Sequence, residues 1–203
     1  MKNIFIAVLM LGLSLSLNAK NVDGNMLITK DGATYVKAQQ EVFTGNAYFF
    51  FPDGKTKKIV PYYQGQIDGR LTEWREDGST KTVAYFRKGK QDGEYIGTYP
   101  NGKKSMVAYF RDGLQDGEVT TWYDNGRKKS SAYYKYDVQD GEALTWYENG
   151  QKASQGSYVN GKREGEFLKW HPNGQLGYKG FFSNGKAIGE IQIWDENGVY
   201  VPE

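Results

Sequence analysis

The side chains able to do chemistry are few and regularly spaced. Asp92-Gly93-Glu94, Asp116-Gly117-Glu118 and Asp140-Gly141-Glu142 place paired carboxylates two residues apart. Such a pair falls short of the roughly 6–8 oxygens that calcium takes and of the two carboxylates across a cleft that glycoside hydrolysis needs. The better account is a repeated solvated edge. His171 is the only histidine. It stands where other segments carry Tyr99, Tyr123 or Tyr147. General acid–base work needs a partner within hydrogen-bond reach, and no Ser or Asp context accompanies it. A structural role follows. Cysteine is absent, which removes disulfides, thiol catalysis and Cys-based metal centres. No catalytic residue, cofactor or metal is expected.

Two other sets could carry binding. Trp74, Trp122, Trp146, Trp170 and Trp194 form a column, and Trp and Tyr are favoured interface anchors. The column reads either as a protein-docking or glycan-stacking strip or as the packing material of a thin sheet. Lys57, Lys58, Lys103, Lys104, Arg127, Lys128 and Lys129 follow predicted turns. They read either as an edge for anionic lipid, glycan or lipopolysaccharide phosphate, or as gatekeeping cations on exposed strands.

What must position these residues is a repeat. Gly45-Asn46, Gly69-Arg70, Gly93-Glu94, Gly117-Glu118, Gly141-Glu142, Gly165-Glu166 and Gly189-Glu190 recur at intervals of 24. Asp53-Gly54, Asp77-Gly78, Asn101-Gly102, Asn125-Gly126, Asn149-Gly150, Asn173-Gly174 and Asn197-Gly198 keep the same step. A third marker, Gly65, Gly89, Gly113, Gly161 and Gly185, is broken only by Asp137. The tryptophans fall five residues after the first glycine, with Phe50 and Thr98 as substitutes. A second aromatic column follows at Tyr62, Phe86, Phe110, Tyr134, Tyr158 and Phe182. The frame defines six full units, 45–68 through 165–188, and a truncated seventh, 189–203.

Asn-Gly or Asp-Gly between runs rich in β-branched and aromatic residues predicts a hairpin in each unit. Both a two-residue loop and a type I turn with a glycine bulge fit. The two differ by one residue of register, which decides whether the two aromatic columns share a face. The glycine pairs between hairpins allow a second reversal. The expected fold is all-β: an elongated, single-layer antiparallel meander of 24-residue hairpins. Its aromatics are expected to sit over glycines of adjacent strands. Asp31-Gly32, off the frame, marks a degenerate capping hairpin within residues 20–44.

Residues 1–19 read as a secretory signal peptide. Lys2 precedes an apolar stretch from Ile4 to Leu17, and Leu17-Asn18-Ala19 is a cleavage site. The stretch is shorter than the roughly 20 residues of a membrane span. Cleavage lowers the formal net charge from +2 to +1. That balance argues against nucleic acid as a partner. Mean hydropathy of −0.71 excludes a polytopic membrane protein. An exported chain without cysteine points to a bacterial envelope.

The segments Gly117-Glu118-Val119-Thr120-Thr121-Trp122-Tyr123-Asp124-Asn125-Gly126, 141–150 and Tyr158 to Gly165 resemble the MORN repeat in its bacterial variant form. The resemblance covers roughly residues 45–203 and implies the repeat architecture. Members include membrane-associating, dimerising and scaffold proteins, and some bacterial variants are antitoxin components. The functional expectation is an exported, non-enzymatic repeat scaffold that binds protein at the cell envelope or outside the cell. The alternatives are peripheral binding to anionic membrane lipid or lipopolysaccharide, and an antitoxin-like role. The periplasm, the cell surface and the medium remain equivalent destinations.

Overall fold

The computed structural model describes residues 20–37 and 41–202; the signal-peptide reading of residues 1–19 falls outside them. Each hairpin turns in the same way. In the fourth unit, Tyr123 N–H donates to the Arg127 carbonyl and Gly126 N–H to the Tyr123 carbonyl, both at 2.9 Å. Gly126 is left-handed with φ of 91°, whereas Asn125 is not. This is a type I turn closed by a glycine bulge, which resolves the choice left open by the Asn-Gly dipeptide. The bulge shifts the register between Thr121 and Trp122, so that Thr121 faces Ser130 and Trp122 faces Lys128.

The opposite reversals are two-residue type I′ turns, which need positive φ at both positions. Lys88-Gly89, Asp112-Gly113, Asn160-Gly161 and Asn184-Gly185 all meet that need. Tyr136-Asp137 does so without glycine, at φ of 51° and 67°. Asp137 is held there by its own side chain, whose Oδ1 accepts the Gln115 N–H at 2.6 Å.

Beyond each type I′ turn the strand bulges. Ala132 pairs with Ala143 and Tyr134 with Gln139, so three residues, Asp140 to Glu142, span the place of Tyr133. Gly141 sits there at φ of 129°, and a Cβ on it would lie 2.9 Å from the Tyr133 Cβ. Tyr85 over Gly93 and Tyr109 over Gly117 repeat the arrangement, each at 3.1 Å. The glycine therefore serves both backbone conformation and the close approach of a tyrosine.

Strand follows strand in an open sixteen-stranded sheet, antiparallel from Gly45–Phe50 to Lys186–Ile193. An unbroken row of paired residues crosses it: Tyr48, Ile59, Thr72, Val83, Ile96, Val107, Thr120, Ser131, Leu144, Gln155, Leu168, Lys179 and Gln192. The row is buried from Thr72 to Ser131 wherever its members are Thr, Val or Ser. The next row lies on the other face and is small: Val119, Ala132, Ala143 and Gly156, with the Phe167 ring over Gly156.

The segment that precedes the first unit departs from this single layer. Lys20–Asp23 pairs with Gly45–Phe50 in parallel and occupies the sheet edge. The chain then turns through Gly24–Met26, and Leu27–Lys30 pairs with Ala33–Val36 as a separate two-stranded sheet. The Asp31-Gly32 hairpin thus lies over the sheet rather than lengthening it. It is tied there by Thr34 N–H to the Gly65 carbonyl and Phe43 N–H to the Thr34 carbonyl, at 2.9 and 2.8 Å. Val36, Phe43, Ala47 and Val60 are buried between the layers, with Leu27, Tyr62, Ile67 and Leu71 packed around them. Burial of a side chain such as Phe43 contributes about 1.5–3 kcal/mol. Burial also pushes the Tyr62 hydroxyl above its ordinary pKa, partly offset by its hydrogen bond with Thr34.

Candidate interaction face

Side chains alternate across a strand. Trp122 therefore shares a face with Thr120, whereas Tyr134 shares one with Ala132 and Val119. The two aromatic columns lie on opposite faces. The N-terminal hairpin packs on the Ala47 and Leu71 side, so at that end it leaves the tryptophan face uncovered. All five tryptophans are half-buried. Lys128 Nζ lies 5.9 Å from the Trp146 ring centre and Lys152 Nζ 5.4 Å from that of Trp170. Cations therefore alternate with indoles along this stretch, a contact worth about 0.5–1 kcal/mol when exposed.

Beside them runs a column that the sequence reading passed over. Tyr85, Tyr109, Tyr133 and Phe181 are 38, 42, 47 and 42 % exposed and share the tryptophan face. Their signal was available: each immediately precedes a member of the second aromatic column. Glu94, Lys104, Tyr109, Glu118, Trp122 and Lys128 surround a shallow depression of about 260 Å³ floored by Val107 and Thr120. Charges of both signs and two aromatics thus converge over one patch.

The proposed cationic edge is divided. Lys104 and Lys128 join the tryptophan face. Lys103 Nζ donates to the Asn125 carbonyl at 2.7 Å, and the Arg127 guanidinium donates to the Glu148 carbonyl at 3.0 Å. Lys129 and Lys57 lie over the Tyr123 and Phe51 rings, 5.6 and 5.7 Å from their centres. Lys58 lies 4.6 Å from the Phe49 ring centre, on the face that carries Ala47.

His171 belongs to a ladder along the hairpin-turn edge. Tyr99, Tyr123 and Tyr147 donate their hydroxyls to the carbonyls of Trp122, Trp146 and Trp170, at 2.7, 2.9 and 2.7 Å. His171 Nε2 meets the Trp194 carbonyl at 2.8 Å in the same way. The Arg75 guanidinium donates to the Thr98 carbonyl and Oγ1. Thr98 in place of tryptophan and Arg75 in place of tyrosine are thus one joint departure. Asparagines add a second rung: Asn101, Asn125, Asn149 and Asn173 each donate through Nδ2 to a backbone carbonyl of the next turn. Asp53 and Asp77 have no such amide; their carboxylates accept N–H groups from Lys55 and Ser79. Hydrogen bonding to the Lys55 and Ser79 side chains, and then to those N–H groups, holds both below the ordinary carboxylate pKa.

The acidic connectors act on the other edge. Asp68, Asp92, Asp140 and Glu164 accept the N–H groups of Lys88, Asp112, Asn160 and Asn184, the first residues of the type I′ turns. Of the Asp-Gly-Glu pairs, Asp92 and Asp140 are thus turn acceptors, whereas Asp116 meets Arg111 and Glu94, Glu118 and Glu142 accept from the Tyr109, Thr120 and Gln155 side chains. Among the described residues no three His, Asp or Glu side chains converge as metal ligands.

The model of the MORN repeat variant matches residues 115–136, 139–160 and 163–184. These three consecutive segments are thus MORN repeats of the variant type. Each matched MORN segment begins just past one type I′ turn and ends on the first residue of the next, Tyr136, Asn160 or Asn184. The sequence repeat and the structural hairpin are therefore the same object. MORN repeats in general serve interaction with proteins or membranes. No curated protein matches the chain.

Proposed function

We propose that the chain is an exported, non-enzymatic scaffold that binds another protein at the bacterial cell envelope or outside the cell. The observation that carries this reading is the uncovered face on which the tryptophan column and the exposed Tyr85, Tyr109, Tyr133 and Phe181 lie side by side. Aromatic side chains supply large contact area at little entropic cost, and flanking Glu and Lys add specificity. The export reading rests on Lys2 and the apolar stretch from Ile4 to Leu17. Attachment to anionic lipid is the weaker reading, because Lys103 and Arg127 spend their charged groups on neighbouring turns.

The test is affinity capture by residues 20–203 at low and high salt, beside a Tyr109→Ser, Tyr133→Ser variant that keeps a Cβ over Gly117 and Gly141. A partner protein retained at high salt and lost from the folded variant supports the proposal. Retention of anionic vesicles alone, abolished by salt, replaces it with lipid attachment, since screening weakens exposed charge contacts.

A further inference from the structure

The chain contains seven Asn-Gly pairs, at Asn101, Asn125, Asn149, Asn160, Asn173, Asn184 and Asn197. In such a pair the glycine nitrogen can attack the asparagine Cγ. The N–Cγ bond forms, the Cγ–Nδ2 bond breaks, ammonia leaves and a succinimide results. The proton given up by the glycine nitrogen passes through solvent. Water then opens the ring at either carbonyl, leaving aspartate or isoaspartate. The reaction needs water and a free carboxamide, with no cofactor and no oxidant.

The fold gives these seven pairs unequal freedom. Their glycine N–H groups are equally engaged, each donating to a backbone carbonyl at 2.8–3.0 Å. The difference lies in the carboxamides. Asn101, Asn125, Asn149 and Asn173 are held at both ends: Oδ1 accepts the N–H two residues on, and Nδ2 donates to the next turn. Asn184 Oδ1 accepts Lys162 Nζ at 2.7 Å. In the last turn the Asp195 carboxylate takes the Val199 N–H at 2.8 Å and also accepts a hydrogen bond from the Asn197 carboxamide. The Asn160 carboxamide alone is unbonded among the described residues; only its backbone N–H is held, by Asp140 Oδ2 at 3.2 Å.

We propose that Asn160 is a site of spontaneous deamidation in the folded protein, and that side-chain hydrogen bonds protect the other six. Conversion at Asn160 sets a second carboxylate beside that of Asp140. Its isoaspartate form also lengthens the backbone of a two-residue turn whose two φ angles, 50° and 76°, are already confined to the left-handed region.

The experiment is peptide mass mapping of the intact, folded chain during incubation in mildly alkaline buffer, with a parallel sample in concentrated urea. Asn160 should gain the amide-to-acid mass shift about tenfold faster than the four doubly held asparagines, as expected when two hydrogen bonds must break first. In urea the seven rates should converge. Lys162→Met should bring Asn184 to the fast rate of Asn160. Equal rates in the folded chain, or a spread that survives in urea, overturns the proposal. So does an Asn184 rate that ignores Lys162→Met.

Discussion

The two long edges of the sheet are stitched by different means. On the hairpin-turn edge, a side chain reaches across an entire hairpin to a carbonyl 23 residues on, and Arg, Tyr and His all perform that task. On the connector edge, the stitch is made by backbone. Gly89, Gly113, Asp137, Gly161 and Gly185 donate N–H groups to carbonyls of the preceding connector, and carboxylates hold the adjacent turn N–H groups. The first edge needs only a donor of the right length. The second needs particular backbone conformations and a tyrosine packed against bare glycine. Tolerance to substitution should differ accordingly.

The largest expected effect is Gly141→Ala. It forces an L side chain to φ of 129° and brings a Cβ to 2.9 Å from the Tyr133 Cβ. Strain of this kind costs about 1–3 kcal/mol before the steric contact is added. Urea unfolding should show a clear fall in midpoint; an unchanged midpoint would remove the claimed asymmetry between the edges. Next comes Asp137→Ala, which keeps the left-handed φ but deletes the acceptor for Gln115 N–H. A loss of about 1–2 kcal/mol is expected, and Asp137→Asn should recover most of it because its carbonyl oxygen still accepts.

Tyr123→Phe removes one rung and leaves the packing in place. The expected loss is about 0.5–1.5 kcal/mol. Faster amide exchange should be confined to the turns at 123–127 and 147–151, and exchange quickened throughout the sheet would show that the rungs are not local. Tyr123→His should retain the rung, as His171 does.

The smallest effect is in pH. The Val199 N–H bond holds the Asp195 carboxyl below its ordinary value of 3.8. A depressed carboxylate contributes stability that is complete above the unfolded value and lost as pH falls through the folded one. Nuclear magnetic resonance of the 195–199 turn should show loosening only below that ordinary value, and loosening already at neutral pH would contradict the assignment.

Much of the architecture was legible because glycine and asparagine repeat at a fixed step and each has a conformational meaning. The hairpins, the second reversal and the placing of aromatics over glycine all follow from those markers, although Tyr85, Tyr109 and Tyr133 were not singled out as the aromatics that do so. The register was not legible. Asn125-Gly126 satisfies two turn types, and only the φ of Asn125 separates them. That single residue of register is what sends the tryptophans and Phe86, Phe110 and Tyr134 to opposite faces. The covering hairpin at 27–36 was not readable as a second layer either, since packing between layers leaves no period in the chain. The acidic connectors were read as solvated edge, although the constant 20-residue step from Asp68 to Lys88 and from Asp140 to Asn160 held the clue.

The consecutive order of the strands places Lys20–Asp23 and Lys186–Ile193 at opposite ends of the sheet. A pull on those two ends acts along the hydrogen bonds rather than across them, because ladder bonds run perpendicular to their strands. The load then falls on one strand pair at a time, and the sheet peels in steps instead of shearing as a block. Anchored at one end and loaded at the other, it is a compliant tether that pays out one hairpin after another and recovers by refolding locally, one short-range contact after the next.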